Sequence, residues 1–151
     1  MSLYYIAQIN IALAKDEMNT ETMQGFVSRL DEINADADRA EGFIWRLQTE
    51  EGDSTAIRVF DESLLLVNMS VWENVDAMKN FVYKSSHVEL IRDRQAWFKK
   101  YVDAQQALWW IPKGHTPSIE EAKEKLDLIQ KNGPSQEAFH FGKLFPVPVS
   151  F

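Results

Sequence analysis

Two segments of this chain alternate at every second residue, and this alternation constrains the fold more than any other feature. From Leu3 to Leu13 every odd position is apolar, whereas the even positions mix apolar side chains with Gln8 and Asn10. The segment from Leu64 to Trp72 repeats the pattern, with apolar residues at all of its odd positions. Because successive side chains of a strand point to opposite faces, each segment predicts a β-strand with one apolar face and one mixed face.

The rest of the chain contains helical spacing and further short alternating runs. Two amphipathic helices are predicted, one that Gly42 ends and one that Asn74 caps, from the apolar positions Met23, Phe26, Val27, Leu30 and Ile33 and from Val75, Met78 and Val82. Further strands are predicted at 43–49, 107–111 and 138–145. Ser118 and Glu121 form the capping box of a late helix.

The order of these elements predicts an α+β domain. Strand, helix, strands, helices and strand follow one another as in a ferredoxin-like antiparallel sheet, which carries its helices on one face. A further helix and strand are appended at the C-terminal end. Because the chain has 151 residues and no long linker, we expect a single domain over residues 1–151.

We expect the mixed face of the sheet to be the one that the helices leave open. That face would present Tyr4, Ile6, Leu64, Leu66 and Trp72, which together are too apolar for contact with water. A second copy of the chain would cover them. The sequence therefore predicts a homodimer.

Composition excludes several classes of function. The chain has no cysteine, which rules out disulfides, thiolate nucleophiles and cysteine-ligated metals. Its 23 acidic residues outnumber 16 basic ones and no Lys/Arg run occurs, so we expect no nucleic-acid partner. No apolar stretch approaches the ~18 residues of a membrane span and the start lacks a signal peptide, so we expect a cytoplasmic protein with no membrane partner.

No standard cofactor or metal motif is present. The sequence lacks a Walker motif, a dinucleotide-binding glycine pattern and a G-x-S-x-G elbow. His87, His115 and His140 fall on a predicted helix, turn and strand, and Asp36-Ala-Asp38 lacks the later positions of a calcium loop. We therefore expect neither a metal nor a cofactor.

Polar residues on the mixed face form the first candidate site. Alternation directs Gln8, Asn10, Asn68, Ser70 and Trp72 toward the same side of the sheet. A few fixed polar groups in an apolar and aromatic chamber suit a small-molecule ligand. We interpret these five as ligand-binding candidates. The alternative is that the amides hydrogen-bond to one another or to a partner subunit.

Aromatic and basic residues later in the chain are further candidates. A predicted helix carries His87, Leu90, Ile91, Arg94 and Trp97 on one stripe, where His87 suits a general base and Arg94 suits an anionic group. Arg94 and Trp97 are ligand-binding candidates. The alternative is a structural histidine beside an arginine that extends past Trp97. Trp109 and Trp110 point to opposite faces of their strand, so at most one lines the chamber; Trp110 is a binding candidate, and core packing is the alternative.

Two segments carry a recognisable set of residues. The central one contains Asn68-Met-Ser-Val-Trp72, Phe81-Val-Tyr83, His87, Arg92 to Arg94 and Trp97-Phe98. The later one contains Leu108-Trp-Trp-Ile-Pro112, Gly114-His115, Pro117, Glu121-Ala122, Gly133-Pro-Ser135 and Ala138-Phe139. Together they resemble an uncharacterised bacterial family of dimeric α+β-barrel proteins, and the resemblance covers most of the chain.

The resemblance implies a ferredoxin-like fold whose two copies pack sheet to sheet. It places the chain in a superfamily that contains antibiotic-biosynthesis-type monooxygenases and haem-degrading enzymes. In the cofactor-independent oxygenases of that superfamily, Asn and Trp hold a phenolic substrate while oxygen attacks it, which implies a similar role for Asn68 and Trp72. In the haem-degrading relatives a helix histidine ligates iron, and His87 does not fall at the corresponding position.

We therefore expect this chain to bind a small apolar or aromatic molecule. The leading hypothesis is a cofactor-independent monooxygenase with His87, Asn68 and Trp72 as its catalytic residues. The alternatives are a non-catalytic ligand-binding or sensing dimer and a haem-binding protein.

Overall fold

A computed structural model describes residues 3–48, 64–84, 92–99 and 105–148. In these ranges the chain forms a five-stranded antiparallel sheet, three α-helices and two short 3-10 turns. The strands are β1 (Tyr4–Ala14), β2 (Phe43–Arg46), β3 (Leu65–Trp72), β4 (Phe98–Lys99) and β5 (Gln106–Pro112). The helices are α1 (Gln24–Arg39), α2 (Val75–Lys84) and α3 (Ile119–Asn132), and the 3-10 turns are Glu21–Met23 and Arg94–Ala96.

Strand β1 lies inside the sheet because both of its edges are paired. One edge pairs with β3 over eight residues, from Ile6 opposite Trp72 to Leu13 opposite Leu65. The other edge pairs first with β5 and then, near the end of β1, with β4. The order β2-β3-β1-β4 and the sequence β1-α1-β2-β3-α2-β4 are those of a ferredoxin-like domain, so the predicted fold is confirmed.

Helix α1 is separated from β2 by a glycine turn, as the sequence predicts. Gly42 has φ +83°, a conformation that side chains other than that of glycine rarely adopt. A Cβ atom at this position would lie 2.5 Å from Cβ of Ala77 in α2. Gly42 therefore both reverses the chain and lets α2 pack against the turn.

The apolar face of the sheet packs against α3. Its buried residues Ile9, Met69 and Trp109 share a core with Ala122, Leu126 and Ile129 of that helix. Ser118 caps α3 by accepting a hydrogen bond from the backbone N–H of Glu121 at 3.1 Å. The C-terminal helix thus covers one face of the sheet by itself, within the part of the chain that the structure describes.

The mixed face was expected to be open, and this expectation is wrong. Ile6 and Trp72 are 0% and 2% exposed and pack with Met78 of α2, and Leu64 and Leu66 pack with Phe26 of α1. Helices α1 and α2 lie on this face because their apolar stripes need its Ile, Leu and Trp side chains. The surface from which dimerisation was argued is therefore covered within one chain.

Two other predicted elements differ from the structure. The strand predicted at 138–145 is reduced to a bridge in which Phe139 exchanges two backbone hydrogen bonds with Leu108. A turn at His140–Lys143 reverses the chain directly afterwards, which prevents further pairing. The helix predicted through Trp97 gives way at Arg94–Ala96 to a 3-10 turn, because β4 follows and pairs with the end of β1.

Among the residues that the structure describes, no helix has both the length and the apolar character needed to cross a bilayer.

Candidate functional site

A cleft of about 1450 Å³ lies between the mixed face of the sheet and helices α1 and α2. The sheet contributes Gln8, Asn10, Asn68, Ser70 and Trp72 to its lining, the five residues that the alternation brought together. Apolar side chains line the opposite wall, among them Phe26, Leu30 and Ile33 of α1 and Met78 and Phe81 of α2. The combination of apolar walls and a few fixed polar groups is typical of a small-molecule site.

The pairing register of the two central strands explains why these residues meet. Gln8 lies directly opposite Ser70, and Asn10 lies opposite Asn68. Directly opposite residues share a face of the sheet, with Cβ atoms about 4.5–5.5 Å apart. A shift of one residue in register would send all of them to the apolar face.

Gln8, Asn68, Ser70 and Trp72 form one hydrogen-bonded group, which we call the polar relay. The Nε2 atom of Gln8 donates to Oδ1 of Asn68 at 2.6 Å and to Oγ of Ser70 at 2.8 Å. The indole Nε1 of Trp72 donates to the same Oγ atom at 2.9 Å. The polar groups thus satisfy one another, as the structural alternative predicts, and they also line the cleft.

The relay leaves hydrogen-bonding capacity that the described residues do not use. Ser70 Oγ accepts two bonds, so its hydroxyl hydrogen remains to be donated. Gln8 uses both hydrogens of its amide and keeps the carbonyl Oε1, although the residue is only 4% exposed. Asn68 uses its oxygen and keeps both amide hydrogens. Two kinds of donor and one buried acceptor therefore face the cleft.

Stacking fixes the indole of Trp72. Its ring stacks on that of Phe81 at a centroid distance of 5.2 Å and an interplanar angle of 27°, and Phe43 contacts it edge-on at 5.4 Å. These contacts from α2 and β2, together with the bond to Ser70, hold the ring in one orientation. Trp72 itself is 2% exposed, so the half-buried ring of Phe81 forms the rigid wall that this stack presents to a flat ligand.

Arg46 is a cleft residue that the sequence analysis missed. It lies opposite Ser70 in the pairing of β2 with β3, is 8% exposed and lines the cleft. Its Nε atom donates to Oδ1 of Asp38, in the last turn of α1, at 2.8 Å. The only sequence signal is an arginine on an otherwise apolar strand, and its partner Asp38 belongs to a stretch that was considered as a calcium loop and rejected.

Three later candidates end up in different surroundings. Arg94 is exposed and lines the cleft. Trp97 is 6% exposed and packs against Phe26 at 5.9 Å, in the core beneath α1 and outside the cleft lining. Trp110 is on the same face of the sheet as the cleft, as alternation allows, and its Nε1 donates to the carbonyl of Phe145 at 3.2 Å. It does not line the cleft.

The histidines do not meet in a common site among the described residues. His87 lies outside the described residues, so its candidate role as a base stays a prediction. Nε2 of His115 lies 2.6 Å from Oε1 of Glu121, whose other oxygen accepts from Trp109 on the apolar face. His140 lines the cleft, and its Nδ1 accepts from the backbone N–H of Gly142 at 2.9 Å. No group of three His, Asp or Glu side chains in the described ranges could hold a metal ion.

A second, smaller cleft of about 580 Å³ lies at the turn between α1 and β2. Asp36, Glu41, Glu73 and Asp76 line it. Asp36 pairs with Arg39 at 2.7 Å. A group of surface carboxylates is usually solvated, so we regard the larger cleft as the candidate site.

Comparison with protein families decides where this chain belongs. A family model described as a domain of unknown function, DUF3291, matches residues 5–150. The chain belongs to the DUF3291 family. The resemblance of its central and C-terminal segments to an uncharacterised family is therefore confirmed. No curated protein matches this DUF3291 chain in sequence.

Several solved structures have a similar fold at low sequence identity. PA3566 from Pseudomonas aeruginosa is 12% identical, with a TM-score of 0.48 over 75% of this chain and 96% of that chain. SnoaB from Streptomyces nogalater, described as a cofactor-independent oxygenase, is 14% identical, with a TM-score of 0.46 over 76% and 97%. NE2512 from Nitrosomonas europaea, a protein of unknown function, is 7% identical, with a TM-score of 0.47 over 77% and 95%.

Proposed function

We propose that this DUF3291 protein binds a small, largely apolar molecule that carries a hydroxyl group, and that the cleft beneath α1 and α2 is the binding site. The observation that supports this most strongly is the unused capacity of the polar relay. Ser70 and Asn68 keep hydrogens to donate, and the buried Oε1 of Gln8 keeps an acceptor. A hydroxyl group both accepts and donates hydrogen bonds, so one hydroxyl group of a ligand would accept from Ser70 or Asn68 and donate to Gln8.

The surroundings of the relay favour an aromatic hydroxyl over an aliphatic one. Trp72 and Phe81 stack at 5.2 Å beside the relay, and Phe43 closes the edge. Aromatic rings prefer offset stacking or edge contacts with other rings, which add about 0.5–1.5 kcal/mol beyond the area that is buried. A phenolic ring on this wall would present its hydroxyl to Ser70.

Binding of a simple phenol tests the proposal. We expect 1-naphthol to bind and 1-methylnaphthalene, which has no hydroxyl, to bind more weakly when both are titrated by calorimetry. Asn68→Ala removes one donor and should weaken 1-naphthol about threefold to tenfold. Asn132→Ala, at the exposed end of α3, is the matched control and should change nothing. Equal affinities of the two compounds, or an unaffected Asn68→Ala variant, would contradict the proposal.

The catalytic form of this proposal is a cofactor-independent monooxygenase. One atom of dioxygen would enter the phenol and the other would leave as water, with the electrons taken from the substrate, as when 1-naphthol becomes 1,4-naphthoquinone. Asn68 and Trp72 would orient the ring and His87 would take the phenolic proton. Consumption of one dioxygen per quinone formed, abolished in His87→Ala, supports catalysis. Binding without oxygen consumption supports the alternative of a ligand-binding or sensing protein.

The chemistry of His140 gives no support to the haem alternative. Its Nδ1 accepts a hydrogen bond from Gly142, so in the neutral ring the proton is on Nε2. A haem ligand needs the reverse, with Nδ1 protonated and the Nε2 lone pair on iron. The Soret band of added haemin should therefore be at the same position with the parent protein and with the His140→Ala variant.

A further inference from the structure

The cleft has a basic end that the polar relay does not explain. The charged residues in its described lining are Lys15, Arg46, Arg94 and Lys99, and no acidic residue is among them. The whole chain has the opposite balance, with 23 acidic and 16 basic residues. A cleft lined by positive charges attracts and concentrates anionic ligands, even in a protein whose net charge is negative.

Two of these four cations are available to a ligand within the described part of the chain. Arg46 is neutralised by Asp38, with hydrogen bonds of 2.8 and 3.3 Å. Lys99 lies opposite Leu13 of β1, so its side chain belongs to the apolar face of the sheet. Lys15 and Arg94 are exposed, and neither forms an ion pair with another described residue. We call these two residues the basic rim.

Among the described residues, the carboxylates near the basic rim do not cancel its charge. Asp16 and Glu17 follow Lys15 in the chain but do not line the cleft. Asp93 precedes Arg94 and is shared by two other arginines, Arg92 at 3.3 Å and Arg29 at 3.1 Å. The hydrogen bonds from Arg92 and then Arg29 lower the pKa of Asp93. Asp93 is therefore paired with two cations that do not belong to the basic rim.

The basic rim lies at the far end of β1 from the polar relay. The backbone N–H of Lys15 donates to the carbonyl of Trp97 at 2.8 Å, and the backbone N–H of Trp97 donates to the carbonyl of Arg94 at 3.1 Å. From Asn10, which lies opposite Asn68 of the relay, to Lys15 the strand direction covers five residue steps, which corresponds to about 17 Å. A molecule that meets both ends of the cleft must therefore be elongated.

Between the two ends the cleft is apolar. Ala12 of β1 lies opposite Leu66 of β3, and both line the cleft. Phe26 and Leu30 of α1 line the same region. The cleft thus presents, in order along β1, a hydroxyl-binding relay, an apolar channel and a basic rim.

We infer that the natural ligand is an elongated amphipathic carboxylate, with its hydroxyl group on the polar relay, its apolar body in the channel and its carboxylate on the basic rim. This inference rests on the proposed binding function and narrows it to one class of ligand. An apolar body fills the channel, and an anionic group is attracted to Lys15 and Arg94.

Two matched ligands separate the contribution of the carboxylate charge to the affinity from that of the chain and the hydroxyl group. The probe is ω-hydroxydodecanoate, and the neutral control is dodecanediol, which has the same length and replaces the carboxylate with a second hydroxyl. We expect the carboxylate to bind about threefold to tenfold more tightly by calorimetry at low salt. This advantage should shrink as sodium chloride is added, because salt screens exposed charges.

Variants of the basic rim then test whether its residues cause the tighter binding of the carboxylate. Lys15→Gln should reduce the advantage of ω-hydroxydodecanoate and leave the affinity for 1-naphthol unchanged, and its combination with Arg94→Gln should remove the advantage. Lys123→Gln combined with Lys131→Gln changes the net charge equally on α3, on the other face of the sheet, and should have no effect. If 1-naphthol binds while the carboxylate and the diol bind equally, the inference is wrong and the binding function stands. If neither 1-naphthol nor ω-hydroxydodecanoate binds, both proposals fail.

Discussion

At the scale of single residues, Ser70 is the side chain on which the polar relay depends. Its Oγ atom accepts hydrogen bonds from two nearly buried donors, Gln8 and Trp72. Without that oxygen, one hydrogen of Gln8 and the indole N–H of Trp72 would lose their acceptor at nearly buried positions. The cost of an unsatisfied buried donor is larger than the gain from a satisfied one.

Ser70→Ala is therefore predicted to destabilise the protein by about 1–3 kcal/mol in chemical denaturation. Ser28→Ala, in which the hydroxyl lost is exposed on α1 and bonded to the carbonyl of Gly25, is the matched control and should change stability by less than about 0.5 kcal/mol. Coincident unfolding curves for the two variants would show that the relay does not stabilise the fold.

The members of the relay could be predicted from sequence, but their bonding could not. Alternation fixes the face of each strand residue, so Gln8, Asn68, Ser70 and Trp72 were correctly assigned to one side of the sheet. Which amide hydrogen meets which oxygen depends on strand register and side-chain rotamers, and these are set by packing. Arg46 was missed for the same reason, because its partner Asp38 comes from a different element.

At the scale of elements, the ion pair of Asp38 and Arg46 joins the end of α1 to β2. The arginine side chain is 9% exposed and the aspartate side chain 47%. Removal of the carboxylate would leave a nearly buried guanidinium without that partner. Asp38→Ala should thus cost about 1–3 kcal/mol, whereas Asp127→Ala, which breaks the exposed pair with Lys131 on α3, should cost less than about 1 kcal/mol. Equal losses in thermal or chemical unfolding would contradict the role of this pair.

A second link joins α1 to the 3-10 turn before β4 and makes stability depend on pH. Hydrogen bonds from Arg92 and Arg29 lower the pKa of Asp93 from its ordinary value of 3.8. A carboxylate with a lowered folded pKa stabilises the protein above its unfolded pKa, and this contribution is lost as the pH falls through the folded pKa. Asp93→Asn should therefore lose less stability than the parent when the pH is lowered from about 6 to about 2. If the stability of the parent and that of Asp93→Asn fell equally with pH, this prediction would be contradicted.

The elements themselves were predictable to different degrees. Strands β1 and β3 have strict alternation, and helix α3 has a capping box and a terminal glycine, so their sequences identify them. Periodicity does not say which face of a sheet a helix covers, and the helices α1 and α2 were therefore expected on the wrong face. The strand predicted at 138–145 failed because a turn at Gly142 interrupts an alternating sequence.

At the scale of the whole molecule, the homodimer stays a proposal. The apolar side chains from which it was argued, such as Ile6 and Trp72, are buried beneath α1 and α2 in one chain. Because the cleft lies between the sheet and helices of the same chain, binding should be independent of protein concentration. Light scattering coupled to gel filtration gives the mass directly. A single species of 17.5 kDa at micromolar concentration would reject the dimer and leave the binding site intact.

The central claim is that the cleft on the mixed face binds a hydroxyl-bearing ligand through the polar relay, and the indole N–H signals in a proton–nitrogen NMR spectrum test it most directly. Trp72 donates to Ser70 in the relay, whereas Trp109 donates to Glu121 on the opposite face of the sheet. Trp72→Phe and Trp109→Phe assign the two signals. Titration with 1-naphthol should shift the Trp72 signal progressively and leave the Trp109 signal in place. A Trp72 signal that stays unmoved when 1-naphthol is saturating would contradict the account.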